Sequence, residues 1–510
     1  MLLHEWLEQH ARTTPDKVAL VCENERLSFG DIDARARALA ATLQACGVQR
    51  GDRVAIYLEN CTEAVVSIFA TLKAGAIFMP VNPQTKADKL TYLLNDSEAR
   101  VLITSGILAS IAATAVEQAA SVAAAIIVQP KSAERVGGRQ TLSYDEAIQP
   151  SNPYSLPPSI DQDLASIIYT SGSTGEPKGV MVTHLNMTSA ATSISTYLGL
   201  RNDDIIINVL PIAFDYGLYQ ILMASRVGAT VVLQRSLAFP TRVLETMVRE
   251  RVTVLPGVPT VFSMLLNLAT LSSYDLSTLR KVTNTAAALS ETQINDIRKA
   301  FPQATLFSMY GLTECKRVTY LPPEQLDIRP MSVGRGMPNE EVWLVDESGK
   351  RLPNGRSGEL VVRGSNVMRG YWRKPKETAE RLKPGDIPGE MYLYTGDIFR
   401  TDQDGWLYFV GRKDDIIKSR GEKVSPREVE NVLYRLDGVL ETAVIGVADP
   451  VLGQAVKAFV VLKQGFTYTE RDVIKHCLSH LESFMAPTHV AFLDGLPRTD
   501  TGKISKRGLS

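Results

Sequence analysis

A chain of 510 residues exceeds what one hydrophobic core serves, so at least two domains are expected. Its 45% apolar and 22% charged residues are ordinary for a globular protein, and a net charge of −1 excludes a global electrostatic bias towards nucleic acid or an anionic membrane. The five cysteines are odd in number, widely spaced and without a C-x-x-C pair, which argues against a disulfide framework or zinc site and suits a reducing compartment.

The stretch Met1–Lys17 carries acidic residues early and lacks the basic start and apolar core of a secretory signal, so a cytoplasmic protein is expected. Short β-branched runs then alternate with helical segments: Val54–Tyr57, Val101–Thr104, Ser166–Tyr169, Ile205–Val209, Thr230–Leu233 and Thr253–Leu255. That alternation predicts an α/β fold with layered, largely parallel sheets. In one unit Arg53–Leu58 reads as a strand, Thr62–Ala74 as a helix and Ala76–Pro80 as the next strand, with Gly75 supplying the left-handed helix end. The apolar tract Ile107–Val128 is interrupted by Glu117 and Gln118. It reads as a helix leading into a strand, Ala124–Val128, and not as a membrane span.

The apolar strand Ile167–Tyr169 runs into Thr170, Ser171, Gly172, Ser173, Thr174, Gly175, Glu176, Pro177, Lys178 and Gly179. The glycines permit close backbone approach, so successive N–H groups can converge on phosphate oxygens, with hydroxyls and one ammonium alongside. A Gly/Ser-rich run alone is a surface turn; Lys178 behind Pro177 favours the phosphate cradle. Neither G-x-x-x-x-G-K-[ST] nor G-x-G-x-x-G is present.

Further along, Tyr310-Gly311-Leu312-Thr313-Glu314 places an aromatic face, a hydroxyl and a carboxylate in one short loop. After Ser332 the texture changes. Val342–Val345 and Gly358–Arg363 are short strands broken by turns, suggesting a small β-rich subdomain. Asp397 follows an aromatic strand in a turn with Gly396, where an Asx-turn role is the bland alternative to ligand binding. Arg412–Lys423 is a charged stretch, which taken alone is a solvated run. It precedes a helix (Ser425–Leu436), two strands (Glu441–Val447, Ala455–Leu462) and a helix (Thr469–Leu481). The predicted organisation is a large N-terminal domain over 1–412 and a small α+β C-terminal domain over 413–510.

The run YTSGSTGEPKG, followed in order by Asn284–Ala288, Tyr310–Glu314, Tyr394–Asp397, Gly411–Asp414 and Thr501–Lys503, resembles the motif set of the adenylate-forming superfamily. That superfamily comprises acyl-CoA synthetases, peptide-synthetase adenylation domains and firefly luciferase, and the resemblance spans nearly the whole chain. It implies ATP and Mg2+, and a thiol acceptor that is coenzyme A or the phosphopantetheine of a carrier protein. It implies that Thr170, Ser171, Gly172, Ser173, Thr174, Gly175 and Lys178 hold the β- and γ-phosphates. Tyr310, Ala286, Ala287 and Ala288 would border adenine, and Asp397 with Arg412 would bind the ribose. Thr313 would contact the α-phosphate, Glu314 would hold the metal, and Lys503 would touch both the substrate carboxylate and the α-phosphate. Asp414 would be the hinge of a mobile C-terminal domain. Rotation would bring Lys418–Lys423 to a thiol channel, with Gly421 lining the pantetheine path and Arg420 and Lys423 near the CoA phosphates.

The acid is less defined. The region Asn208–Tyr219 should border the acyl pocket, with Phe214 as its gating aromatic and Val258, Ala287, Ser308 and Met309 along its walls. In peptide-synthetase adenylation domains an Asp after that Phe holds the α-amino group, so Asp215 raises the alternative of a free-standing amino-acid-adenylating enzyme that loads a carrier protein. Against it, Asp215 can serve local hydrogen bonds. The strings Gly257–Phe262, Cys315–Val318 and Lys418–Val424 are similar to stand-alone acyl-CoA ligases, which is the expected function. No residue demands the oxygen chemistry of a luciferase, and the presence of Lys178, Glu314 and Lys503 argues against a non-catalytic nucleotide-binding protein.

Overall fold

The computed structural model describes residues 1–130, 135–149, 155, 157–170, 176–413, 415–419, 422–449, 452–499 and 504–510. Two large sheets dominate the first 336 residues. The eight-stranded sheet has the order Gly370–Tyr371, Lys178–Thr183, Leu164–Thr170, Ile77–Val81, Arg53–Tyr57, Ala99–Ser105, Ala124–Val128, Gln140–Ser143. It is parallel from Leu164–Thr170 onwards and antiparallel at its first two pairings. The nine-stranded sheet is parallel through Thr305–Tyr310, Lys281–Asn284, Val254–Gly257, Ile205–Asn208, Thr230–Leu233 and Val18–Cys22, with antiparallel strands at both edges.

One hydrophobic cluster joins the sheets. It takes Val54, Ile56 and Phe78 from the first, Leu20, Ile206 and Val231 from the second, and Leu39, Phe69 and Leu222 from helices packed with both. Alternation along Arg53–Tyr57 turns Val54 and Ile56 to this cluster and Ala55 and Tyr57 to another, formed with the helices Ala87–Ser97 and Ala109–Glu117. Both faces of the strand are covered, which is why its sequence is apolar throughout. The helix Thr62–Lys73 is buried all round and ends at Ala74; Gly75 follows at φ +70°, as expected from its position. The tract Ile107–Val128 contains the helix Ala109–Glu117 and the strand Ala124–Val128, and among the described residues no helix is long and apolar enough to cross a membrane. All five cysteines are free.

A third, antiparallel sheet holds Glu340–Val345, Ser357–Gly364, Met391–Thr401, Leu382–Pro384 and Leu407–Arg412. The fourth sheet, with Ile417–Ser419, Glu422–Val424, Val439–Asp449, Gly453–Leu462 and His489–Phe492, packs its own core of Val429, Leu433, Val444, Val456, Val473 and Cys477. The helix predicted over Ser425–Leu436 runs from Pro426 to Leu433. Ser425 is its N-cap, accepting from the Glu428 backbone N–H, and Pro426 occupies the first turn where no amide partner is lost. Ser166–Tyr169 differs from the parallel alternation expected of it on one side: Leu164–Thr170 pairs antiparallel with Lys178–Thr183, the strand that carries Lys178.

Candidate active site

The parallel strands of the nine-stranded sheet end at Asn208, Gly257, Asn284 and Tyr310, and the segments at these ends carry the predicted acyl-pocket residues and the Tyr310–Glu314 loop. Ligands of open α/β sheets bind at such carboxyl ends. Asn208 is fully buried; its amide donates to Gly217 O at 3.1 Å and its Oδ1 accepts from the Leu210 N–H at 3.2 Å. A Cβ on Gly217 would lie 2.4 Å from Pro211 O, so only glycine permits this close return. The turn starts the helix Asp215–Val227 with Phe214 at its N-cap and Asp215 buried in its first turn. Phe214 packs with Tyr216, Val258 and Ala286 in one apolar cluster.

Tyr310 opens a closed loop. The Val318 N–H donates to Tyr310 O at 2.9 Å, and the Cys315 and Lys316 amides both donate to Leu312 O. A Cβ on Gly311 would lie 2.1 Å from Lys316 O, which explains the glycine between the aromatic and the carboxylate. The Tyr310 hydroxyl donates to Asp397 Oδ2 at 2.5 Å, and its ring stands edge-on to Phe399 at 4.8 Å and lies 6.2 Å from Phe409. Asp397 faces Arg412 across two antiparallel strands, with Arg412 Nε 3.7 Å from its Oδ1. Burial pushes the Asp397 carboxyl up to about 6, against the pull of Tyr310 and Arg412. Gly396 has φ +73° and the Arg381 guanidinium lies against it; its N–H donates to Glu359, whose other oxygen binds Lys413 Nζ at 3.0 Å.

Glu314 is half-buried at the far end of the same loop. Its Oε1 accepts from the Tyr371 hydroxyl at 2.7 Å, and Lys178 Nζ sits 5.6 Å from the centre of the Tyr371 ring. Tyr371 pairs with Val180 at the sheet edge, and Thr170 pairs with Lys178, so the strand pair that carries Lys178 and the Glu314 carboxylate share one tyrosine. Tyr169 turns elsewhere: its hydroxyl binds Asp96 Oδ2 at 2.5 Å.

Ala286 adopts φ +73°, and the Ala287 carbonyl accepts from Asn284 Nδ2 at 2.9 Å. The Ala288 carbonyl accepts from Arg427 Nη2 at 2.7 Å, tying the C-terminal helix to this turn. Ser308 and Met309 are buried on opposite faces of their strand; Met309 joins the central core, where its sulfur receives the Tyr197 hydroxyl at 2.8 Å. Thr313 is half-buried beside Glu314. Ser171, Gly172, Ser173, Thr174, Gly175, Asp414, Arg420, Gly421 and Lys503 lie outside the described residues, as do the side chains of Lys418 and Lys423.

The structure thus brings Tyr310, Asp397 and Arg412 into one cluster and links Lys178 to Glu314 through Tyr371. Tyr371, Phe399, Phe409 and Arg381 were missed in the sequence. Only Tyr371, directly after a glycine, gave a local hint, and its partner is 57 positions away.

Residues 7–372 match the family described as AMP-binding enzyme, and residues 428–503 match its C-terminal domain. A long-chain-fatty-acid–CoA ligase of Bacillus subtilis (strain 168) is 32% identical over 99% of this chain and 94% of its own length. A feruloyl-CoA synthase of an Amycolatopsis species is 33% identical, over 99% and 97%. A crystal structure of the anthranilate CoA ligase AuaEII in complex with anthranoyl-AMP superposes with a TM-score of 0.90 at 29% identity, covering 99% of this chain and 95% of that one.

Proposed function

The chain belongs to the AMP-binding enzymes, and from that premise we propose that it is an AMP-forming acid–thiol ligase acting on a carboxylic acid, ATP and coenzyme A. In the first half-reaction a carboxylate oxygen attacks the α-phosphorus of ATP, the bond to the bridging oxygen breaks and pyrophosphate leaves. In the second, the thiolate sulfur attacks the acyl carbon and AMP leaves. The observation that carries this is the Tyr310–Asp397–Arg412 cluster at a strand end, with Glu314 four residues from Tyr310 in the same closed loop. One loop thereby spans the distance from nucleoside to phosphates.

In this assignment Tyr310 and the turn Ala286–Ala288 flank adenine, and Asp397 accepts from the ribose hydroxyls with Arg412 beside it. Lys178 and the run Thr170–Gly175 hold the departing phosphates, and Thr313 donates to the α-phosphate. Among the described residues no three His, Cys, Asp or Glu side chains converge, so a cation here would rest on one carboxylate and the phosphate oxygens. That is how Mg2+ sits in many nucleotide sites, and Glu314 fits it, with one oxygen steadied by Tyr371. When bound, Mg2+ supplies charge neutralisation of the phosphates. Lys503 carries the ammonium that meets both reacting groups, and orientation with fixed charge is what it contributes.

Asp414 is assigned as the pivot between 1–412 and 413–510. Coenzyme A is the preferred acceptor because the long-chain-fatty-acid and feruloyl relatives reported above are CoA ligases or synthases; a carrier-protein phosphopantetheine is the other arm of the test. The cytoplasm, which supplies both ATP and CoA, is the compartment this reading assigns. ATP–pyrophosphate exchange over fatty, aryl, dicarboxylic and amino acids tests the assignment, followed by AMP release with CoA and with a phosphopantetheinylated carrier. Exchange with a non-amino acid and CoA-dependent AMP release are expected. Exchange confined to amino acids would overturn the ligase assignment in favour of amino-acid adenylation.

A further inference from the structure

The loop that closes behind Glu314 turns two cations into the interior. Lys316 is 2% exposed and adopts φ +69°, a conformation rarely taken by a residue with a Cβ. Its Nζ has no hydrogen-bond partner; the nearest aromatic ring, that of Tyr219, is centred 5.7 Å away. Arg317 is 4% exposed, its guanidinium carbon lies 4.7 Å from the Tyr216 ring centre, and its Nη1 donates to Thr285 Oγ1 at 3.4 Å. Arg317 Nε and the Tyr219 hydroxyl are also buried without partners. Three buried donors without partners, Lys316 Nζ, Arg317 Nε and the Tyr219 hydroxyl, thus lie on or against the helix that begins at Asp215 and carries Tyr216 and Tyr219.

The loop is braced to hold this arrangement. Asn366 Nδ2 donates to Cys315 O at 2.7 Å and to Arg317 O at 3.1 Å, gripping the carbonyls on both sides of Lys316, and also to Glu340 Oε2 at 2.7 Å. A buried ammonium without a hydrogen bond is costly, and so is a left-handed lysine; local packing gains nothing from either. Lys316 and Arg317 thus set two basic groups in the interior against Tyr219 and Tyr216 of the helix that begins at Asp215. Phe214, Tyr216 and Val258, of the apolar cluster at that helix start, add no charge.

We infer that the acid carries, beyond the carboxyl group that is adenylated, a second carboxylate that the Lys316 ammonium and Arg317 guanidinium receive, so that the substrate class is a dicarboxylic acid. This rests on the acid–CoA ligase reading and assigns Lys316 and Arg317 as specificity-determining residues. Bidentate and charge-assisted recognition suits a planar carboxylate, and a site of unpaired buried donors rejects an analogue that leaves them unpaired.

The test is ATP–pyrophosphate exchange by the full chain with matched pairs: succinate against butyrate, glutarate against pentanoate, and phthalate against benzoate. In at least one pair the diacid should exceed its monoacid by more than about tenfold in kcat/KM. Lys316→Met should erase that preference through the KM for the diacid, and should melt no lower than the parent without ligand, because an unpaired buried charge has been removed. Lys316→Arg should retain the preference. Monoacids turned over as well as or better than diacids would overturn the inference and leave the ligase reading standing. So would a Lys316→Met variant that melts lower with its preference unchanged, the mark of a purely structural lysine. Exchange with no acid of either kind would remove the ligase reading and this inference together.

Discussion

The Tyr371 hydroxyl donates to Glu314 Oε1 at 2.7 Å, joining the edge strand of the eight-stranded sheet to the loop that leaves the nine-stranded one. Burial and the neighbouring carboxylate push the phenol well above its usual range, so it remains a donor at any physiological pH. Lys178 lies over the same ring, which makes Tyr371 the physical link between the strand that carries Lys178 and the proposed metal carboxylate. Tyr371→Phe should keep the ring and lose the orienting hydrogen bond. The expected result is a roughly tenfold rise in the Mg2+ concentration needed for half-maximal pyrophosphate exchange, with a stability loss of only about 1 kcal/mol. An unchanged Mg2+ titration would separate Glu314 from metal binding.

Asp397 gives a second prediction, through pH. Its carboxyl is held at about 6 in the folded chain against an ordinary value of 3.8, so the native state keeps its proton where the unfolded chain has lost it. The folded state therefore pays for ionising Asp397 as pH rises from 3.8 to 6, and the full cost applies above 6. Accepting from two ribose hydroxyls requires the ionised form. The apparent KM for ATP should fall as pH rises through about 6, and Asp397→Asn should raise that KM and flatten its pH dependence. A parent enzyme whose KM for ATP is flat between pH 5 and 7 would contradict the role.

The chain should also lose stability in mild acid. His4 and His184 are both buried and held at about 4, against an ordinary value of 6.5, with burial as the first cause for each. Next in order come the Lys73 charge for His4 and His4 itself for His184. His184 Nδ1 accepts the Leu3 N–H at 3.2 Å, a bond that protonation of that nitrogen removes. Their lowered values leave stability untouched above 6.5 and reduce it progressively down to about 4. Asp397 acts with the opposite sign over part of this range, but it is one group against two. The melting temperature should fall as pH drops from 6.5 to 4.5. His184→Gln, which retains an acceptor and cannot protonate, should reduce the slope by on the order of 3 kcal/mol at the acid end. A slope unchanged by that variant would exclude His184 as its source.

Much of the nucleotide side was legible because each motif is local. Tyr310 to Glu314 is five consecutive residues, and Gly311 is explained by the return of Lys316 against it. Asp397 and Arg412 are both visible as motif residues, and the strand register that sets them opposite each other is a hairpin property. The hydrogen bond from Tyr310 to Asp397 crosses 87 positions and depends on how the third sheet meets the nine-stranded one, which no local pattern encodes. Lys316 and Arg317 entered the sequence reading only within Cys315–Val318, a string similar to stand-alone acyl-CoA ligases, and nothing local marks them as inward, because charged side chains are rarely buried without partners. Only the close return at Gly311 and the grip of Asn366 turn them inward.

The final prediction concerns Lys503, whose role is assigned on motif position. If one ammonium meets both the substrate carboxylate and the α-phosphate, its removal should act on the first half-reaction and leave nucleotide affinity to Tyr310, Asp397 and Arg412. Lys503→Ala should lower pyrophosphate exchange by on the order of a hundredfold or more, the scale of losing one fixed charge at a developing anion. ATP binding, followed by fluorescence or calorimetry, should change less than about threefold, since the cluster around Asp397 is intact. The same variant supplied with preformed acyl-adenylate and CoA should still form thioester, because no bond to the α-phosphorus forms in that step. Near-parental exchange would remove Lys503 from the reaction, whereas equal losses in exchange and in thioester formation would make it a residue of the C-terminal domain's structure. The half-reaction split decides between those outcomes, and total activity alone does not.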